Sequence, residues 1–107
     1  MAEKTNNNEI EIISHAAILC DGGNIFLGKS HAECFLKIPV EDRHTSKQMG
    51  FVTNSDRFVN RQEAAKIAYK ANQIDSCEDD SVLISEEIWD PHMGGKFKYS
   101  ATKGYHI

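Results

Sequence analysis

The segment from residue 50 to 73, GFVTNSDRFVNRQEAAKIAYKANQ, constrains this chain most, because it predicts a short strand, a turn and one long helix in succession. Its first four residues have the β-branched and aromatic content of a strand, and Asn54–Asp56 has turn chemistry. Asn60 is followed three residues later by Glu63, which is the spacing of a capping box. The long helix is therefore predicted to begin at Arg61.

Apolar residues recur along this helix at the three-and-four spacing that places them on one stripe. The stripe predicted to be buried consists of Ala64, Ile67, Ala68, Ala71 and Ile74. Lys66, Lys70 and Gln73 are predicted to face water. A cation at the first helical position, Arg61, is disfavoured by the helix dipole, so its presence makes better sense if an anion shares the site.

The N-terminal half predicts a β-hairpin followed by a short helix. The apolar run 10–20 and the run NIFLG enclose the turn DGGN, whose glycines suit the positive φ of a hairpin. Ser30 and Glu33 form a second capping box, so a short helix is predicted from His31 until the next proline ends it. The residues of this helix predicted to face the core are Cys34, Phe35 and Ile38.

The remaining segments complete one small domain. Residues 40–49 predict a polar loop, and residues 81–85 predict a last strand. Residues 1–9 are polar and predict a flexible N-terminus, and residues 91–107 predict a C-terminal tail or an edge strand. The sequence thus predicts one α+β domain over residues 10–90, with a small antiparallel sheet packed against one long and one short helix.

Composition narrows the class of protein. The 107 residues, 40% of them apolar, suffice for one modest core. No apolar run is long enough to span a bilayer, and the start of the chain lacks a hydrophobic signal region, so a cytoplasmic protein without membrane contact is expected. The three cysteines are widely spaced and form no C-x-x-C pair, which predicts reduced buried thiols and no metal or cofactor.

Charge argues against nucleic acid as the partner. A net charge of −4 is unlike a general DNA or RNA backbone binder, which usually carries a basic patch. Residues 29–70 nevertheless hold eight basic and five acidic residues, whereas the rest of the chain holds four and eleven. This basic centre suits a small anionic ligand, and it equally suits solvated helix faces.

Both predicted helices begin with the same order of cap, cation, any residue and glutamate, at Ser30–Glu33 and Asn60–Glu63. The first amides of a helix lack partners within the helix, so two such starts with nearby cations predict a place where phosphate groups bind. Plain capping is the simpler explanation of the same residues.

The segment between these starts carries groups that suit one nucleotide. The aromatic ring of Phe51 can stack on a base, Asn60 can pair with a base edge, and Arg57 and Arg61 can hold a phosphate. In the alternative interpretation, Phe51 and Phe58 belong to the core and both arginines lie on the surface.

Enzymatic motifs are incomplete. The sequence His31-Ala32-Glu33 has the H-x-E form that opens the zinc site of deaminases, but the P-C-x-x-C motif that must follow is absent. No phosphate loop, dinucleotide fingerprint or nucleophile triad with a distinctive spacing is present. We therefore predict a protein that is not an enzyme, with a divergent zinc deaminase as the least favoured alternative.

The blocks AAILCDGGNIFLGKSH, GFVTNSDRFVNRQEAAKIA and LISEEIW together resemble the Thoeris anti-defence sponges, a family of small phage and prophage proteins, over residues 16–89. The resemblance implies a protein that sequesters a cyclic ADP-ribose-type or cyclic oligonucleotide immune signal without cleaving it. It also implies a homo-oligomer, a dimer or a hexamer, in the cytoplasm of the infected bacterial host. The ligand-binding positions implied are Phe51, Asn60 and Arg61, with His31 and Arg57 as phosphate partners.

The acidic C-terminal part departs from this resemblance and supports an alternative. Glu86 and Glu87 stand where a basic residue would favour phosphate, and they would suit ribose hydroxyls instead. Together with Asp75–Asp80 they form an acidic surface that could occupy a basic site on another protein. The alternative function is therefore a protein-binding inhibitor of a bacterial defence nuclease, of the anti-CRISPR or anti-restriction type.

Overall fold

The fold is built on one four-stranded antiparallel sheet, seen in a computed structural model that describes residues 10–107. The strands of this sheet are β1 (Ile13–Cys20), β2 (Ile25–Gly28), β3 (Lys47–Thr53) and β4 (Phe58–Asn60), in the order β2-β1-β3-β4. The helices are α1 (His31–Leu36), α2 (Arg61–Lys70) and α3 (Glu86–Trp89), and a second sheet pairs β5 (Lys98–Ser100) with β6 (Gly104–His106).

This arrangement confirms the predicted fold class, a small antiparallel sheet with one long helix and shorter helical segments. The segment 1–9, which the sequence predicts to be flexible, lies outside the described residues.

Two turns shape the sheet. Gly22 and Gly23 both have φ of +99° in the turn between β1 and β2, a conformation that glycine adopts without strain, and the predicted hairpin is confirmed. The predicted turn Asn54–Asp56 joins β3 to β4. The strand β4 was not predicted from the sequence. β3 also begins at Lys47, inside the predicted loop 40–49.

Cross-strand partners point to the same face of a sheet, so the register separates the two faces. Ala16 pairs with Phe51, Ile18 with Met49, and Phe51 with Val59, which defines the inner face. This face packs against the helices. The buried cluster that results consists of Ile13, Ala16, Ile18, Cys20, Cys34, Ile38, Phe51, Val59, Ala64, Ala65, Ala68, Leu83, Ile88 and Tyr105.

Helix α2 begins at Arg61, as predicted, because the Asn60 side chain accepts a hydrogen bond from the Glu63 amide at 2.8 Å. Its buried positions are three alanines, which let the helix lie close to the sheet, while Ile67 and Ile74 pack at the edge of the core. With ten residues, α2 is the longest helix described, and no helix among residues 10–107 is long and apolar enough to cross a membrane.

The prediction that Gln73 faces water is wrong. Asn72 has φ of +63°, and the Gln73 amide donates to the Ala68 carbonyl at 2.7 Å, which closes α2 as a Schellman motif. This turn directs the buried Gln73 side chain to β1. There its Oε1 accepts from the Ile13 amide at 2.8 Å, and its Nε2 donates to the Ile13 carbonyl at 2.9 Å.

The prediction of a strand at residues 81–85 is also wrong. This segment is extended, but it pairs with no strand in the described chain, and it lies beside the start of α2 instead. The Leu83 amide donates to the Arg61 carbonyl at 3.0 Å, and Arg61 Nε donates to the Leu83 carbonyl at 3.1 Å. The apolar run therefore supplies a cover for the core.

Residues 91–107, predicted as a tail or an edge strand, form a short 3-10 turn at Pro91–Met93 and then the β5–β6 hairpin. The hairpin makes a sheet of its own and is held to the body by Tyr105, which is buried in the core. The Tyr105 hydroxyl donates to the Lys29 carbonyl.

We expect the substitution Gln73→Ala to lower the free energy of unfolding by about 2 to 4 kcal/mol, because it leaves a buried amide and a buried carbonyl of Ile13 without partners. Urea unfolding of both variants measures the effect, with Gln62→Ala on the exposed start of α2 as the control. Equal stability of the two variants would contradict the role of Gln73.

Candidate functional site

The start of α1 places His31 against the inner face of the sheet. Ser30 Oγ accepts from the Glu33 amide at 3.2 Å, and Glu33 Oε1 accepts from the Lys29 amide at 2.8 Å, so the predicted capping box is complete. The His31 ring meets Phe51 edge-on, with 5.0 Å between ring centroids. Its Nε2 lies 2.7 Å from the carbonyl oxygen of Gly50.

Gly50 brings the two helix starts together. It bonds to His31 at the start of α1, and it pairs with Asn60, the cap of α2, across β3 and β4. Arg61 is close enough to His31 for its charge to act on the imidazole, as is Glu86 from the start of α3. The side chains of His31, Arg61 and Glu86 thus lie near one another beside the sheet.

Burial lowers the pKa of His31 below its ordinary value. The hydrogen bond to the Gly50 carbonyl opposes this effect in part, the positive charge of Arg61 adds a smaller lowering, and the charge of Glu86 has the smallest, opposing effect. The ring is therefore neutral at neutral pH. Because the Gly50 carbonyl only accepts hydrogen bonds, Nε2 carries the proton and Nδ1 is left as an acceptor. At this pH, His31 suits a donor such as a hydroxyl, whereas the predicted role as phosphate partner would require the protonated ring.

Phe51 does not present a stacking surface. Its side chain is 0% exposed, within the buried cluster, so its ring offers no face to a ligand. The structure agrees with the interpretation in which Phe51 belongs to the core, and the proposed stacking role for it is corrected.

Arg57 is held by two carboxylates. Its Nε and Nη2 donate to Glu11 at 3.0 and 2.9 Å, and its Nη1 donates to Glu63 at 3.1 Å. The guanidinium, together with a hydrogen bond from Thr53, lowers the pKa of Glu11, so this carboxylate stays ionised. A phosphate would have to displace both acids, which makes Arg57 a poorer anion partner than the sequence suggested.

A groove of about 380 Å³ opens between α1 and the sheet, next to His31. Its lining consists of Ile18, His31, Ala32, Phe35, Leu36 and Met49. Phe35, predicted to face the core, is 39% exposed, whereas Cys34 and Ile38, predicted to do the same, are buried. The groove thus has an aromatic wall that the sequence analysis assigned to the interior.

Three cations surround this groove and His31. Arg43 and Lys47 lie over the Phe35 ring, with their charged groups 5.4 and 5.9 Å from its centroid, and Arg61 lies near His31. Within residues 10–107, no carboxylate lies within ion-pair distance of any of them.

The partners of these three cations are backbone carbonyls, which fix the side chains without neutralising their charge. Arg43 donates to the carbonyls of Leu36 and Ile38, and Lys47 donates to that of Thr45 at 2.6 Å. Arg61 donates to the Leu83 carbonyl. The rim of the groove is therefore positive and partly preorganised.

The two glutamates of α3 differ in position. Glu87 Oε1 accepts from the Ile84 amide at 3.1 Å and closes the turn before the helix. Glu86 accepts from the Ser85 hydroxyl at 3.2 Å, and its charge reaches His31. Of the two, Glu86 is the one placed to act on a ligand beside His31.

Zinc or nucleophile chemistry has little support at His31. Cys34 is buried, its Sγ donates to the Ala16 carbonyl at 3.3 Å, and burial raises its pKa to about 11. A thiol in this state is a poor metal ligand and a poor nucleophile. No group of three His, Cys, Asp or Glu side chains in the described residues is arranged to hold a metal ion.

Comparison with known proteins gives a family match. The family model described as Phage T4 y16D protein matches residues 12–89, which contain every element from β1 to α3. Neither a curated protein nor a solved structure matches the chain.

We expect the His31 imidazole to titrate below the ordinary histidine value of 6.5, because the folded state disfavours its protonation. The unfolded chain then binds the proton more readily, so stability is full above the unfolded pKa and falls as pH drops through it towards the folded pKa. An NMR titration of the His31 ring signals measures this, with the ordinary histidine value of 6.5 as the reference. A His31 midpoint at or above 6.5 would contradict the lowered pKa.

Proposed function

The chain belongs to the Phage T4 y16D protein family, and we propose that it is a phage-encoded binding protein that captures a small nucleotide-type anion in the groove beside His31, without chemical change. The observation that carries this proposal is the groove itself, an aromatic-lined space rimmed by cations that no described carboxylate neutralises.

The size and lining of the groove suit this class of ligand. A volume of about 380 Å³ lies within the usual range for small-molecule sites. Phe35 supplies the aromatic surface that the sequence analysis sought in Phe51, and Nδ1 of His31 supplies an acceptor for a ribose hydroxyl or a base amine. The groove can therefore hold a base and a sugar.

The charge of a phosphate is best received by Arg61. It stands at the first position of α2, where the helix dipole favours an anion. Its Nε binds the Leu83 carbonyl, and within residues 10–107 its terminal nitrogens make no hydrogen bond. Asn60 acts here through its cap, which fixes the first turn of α2, rather than by pairing with a base. Of the two arginines proposed from the sequence, Arg61 is therefore preferred over Arg57.

Capture without turnover fits the chemistry of the groove. The thiol nearest to it is protonated, and the histidine beside it is neutral and bound to a backbone carbonyl. The resemblance to anti-defence sponges supports a cyclic ADP-ribose-type or cyclic oligonucleotide signal as the ligand, bound in the cytoplasm of the infected host.

We expect calorimetric titration with a cyclic ADP-ribose isomer and a cyclic dinucleotide to detect binding of at least one of them. The substitution Arg61→Ala should weaken it about tenfold to a hundredfold, because a charge-assisted contact is lost. Lys66→Ala removes the same charge from the exposed face of the same helix and should leave the affinity unchanged. Denaturing the complex should release the ligand intact.

Three results would contradict this proposal. The first is the absence of binding to every compound of the panel. The second is an equal loss of affinity in the Arg61 and Lys66 variants, which would indicate diffuse electrostatics. The third is release of a hydrolysed product, which would indicate an enzyme.

A second candidate function, inhibition of a host defence nuclease by protein binding, is favoured by the apolar surface around the groove. Val40 is 72% exposed and does not line the groove, so a nucleotide held in the groove leaves it uncovered. The substitution Val40→Asp separates the two functions. It should abolish binding to a protein partner, whereas a nucleotide held at Arg61 should still bind.

A further inference from the structure

The four-stranded sheet has a second face, opposite the helices, which we call the outer face. Its residues follow from the register, since Ala17 pairs with Leu27 and Gly50, Leu19 with Ile25 and Gln48, and Val52 with Phe58. The members of this face are His15, which pairs with Val52, and Ala17, Leu19, Ile25, Leu27, Gln48, Gly50, Val52, Phe58 and Asn60.

This face is largely apolar. Of its ten residues only His15 is ionisable, although charged residues make up 26% of the chain, and six have apolar side chains. Burial lowers the pKa of His15, so its ring is uncharged at neutral pH. Ile25 is 42% exposed, and Leu19, Leu27 and Phe58 are each partly exposed. A contiguous uncharged patch of this kind on a sheet is typical of an interaction surface rather than of a solvated face.

The described residues leave this face without a second layer. Ala17 and Val52 are buried but do not belong to the core cluster. The β5–β6 hairpin approaches only the end of β1, where Tyr99 meets His15 edge-on with 5.6 Å between ring centroids. Sheets that are apolar on both faces normally carry a layer on each.

The outer face, as the described residues form it, has no groove at its centre, around Gly50. A side chain at Gly50 would meet the Phe58 ring at 2.6 Å, so this ring lies across Gly50 and fills the space between β3 and β4. The exposed polar groups on the face, Gln48 and Asn60, are uncharged amides. Nothing on this face repels an identical face.

We propose that the outer face packs against the outer face of a second copy of this chain, forming a two-fold symmetric dimer. An isologous contact requires a surface that is complementary to itself, and an apolar, uncharged face meets this requirement without a charged partner. The dimer would restore the second layer that the sheet lacks. This inference does not depend on the ligand proposed for the groove, which lies on the other face.

The dimensions of the sheet set the strength of the contact. Four strands about 4.8 Å apart and paired over roughly 20 Å give a face of about 400 Å² per copy, or about 800 Å² for the pair. This is small for a specific interface, so the dimer should be reversible, with a dissociation constant in the micromolar to millimolar range.

Sedimentation velocity of the full chain from about 10 μM to about 1 mM tests the proposal, because the mass should rise from monomer to dimer across this range. The variants Ile25→Lys and Leu27→Lys place charge on the outer face and should weaken association more than about tenfold. Leu36→Lys places the same charge on the exposed side of α1 and should leave association unchanged. Circular dichroism confirms that the variants are folded.

Each other outcome overturns the proposal. A monomer at every concentration means that this face does not bind a second copy. Loss of the dimer in Leu36→Lys, with Ile25→Lys unaffected, places the contact at the groove. A monomer that dimerises only after residues 1–9 are removed means that the N-terminal segment occupies the face in the full chain.

Discussion

The close approach of three elements at Gly50 is the constraint on which the rest of this structure depends. A side chain here would lie 2.2 Å from the Val59 carbonyl oxygen, so only glycine allows β4 to sit at this distance from β3. The carbonyl of the same residue accepts from His31 and so fixes the start of α1. One position in the sheet therefore sets both the strand that caps α2 and the helix that borders the groove.

The elements that local chemistry defines could be predicted from the sequence, and those that tertiary contacts define could not. Asn60 predicts the start of α2, because a helix cap and its helix are adjacent in the sequence. The alternating run around Leu83 suits a strand, but a strand also needs a partner strand. The sequence does not reveal that this run has no strand beside it in the described chain. Gln73 is polar, and its burial depends on a turn at Asn72 and on a backbone sixty residues away. Phe35 and Ile38 are both apolar, and residue type alone does not show that Ile38 is buried while Phe35 is 39% exposed.

At the candidate site, the sequence named residues whose contacts it could not define. Residue types alone could not show that Arg57 is shared by two carboxylates, that Phe51 is enclosed, or that burial keeps His31 neutral. Each of these depends on which groups fold next to each other. In the proposed site, Phe35 would offer an aromatic surface and Arg61 a positive charge, and we propose that together they hold a ligand without transforming it.

The amide of Gln73 has a consequence for how this protein avoids unwanted assembly. β1 has eight residues and β2 only four, so the first residues of β1 extend beyond their partner on that side. By bonding both the amide and the carbonyl of Ile13, the glutamine imitates the peptide group of the missing strand. An open strand edge is a template for aggregation, and here a single side chain blocks it. The hydrogen bonds of Gln73 therefore oppose growth of the sheet into fibrils at Ile13.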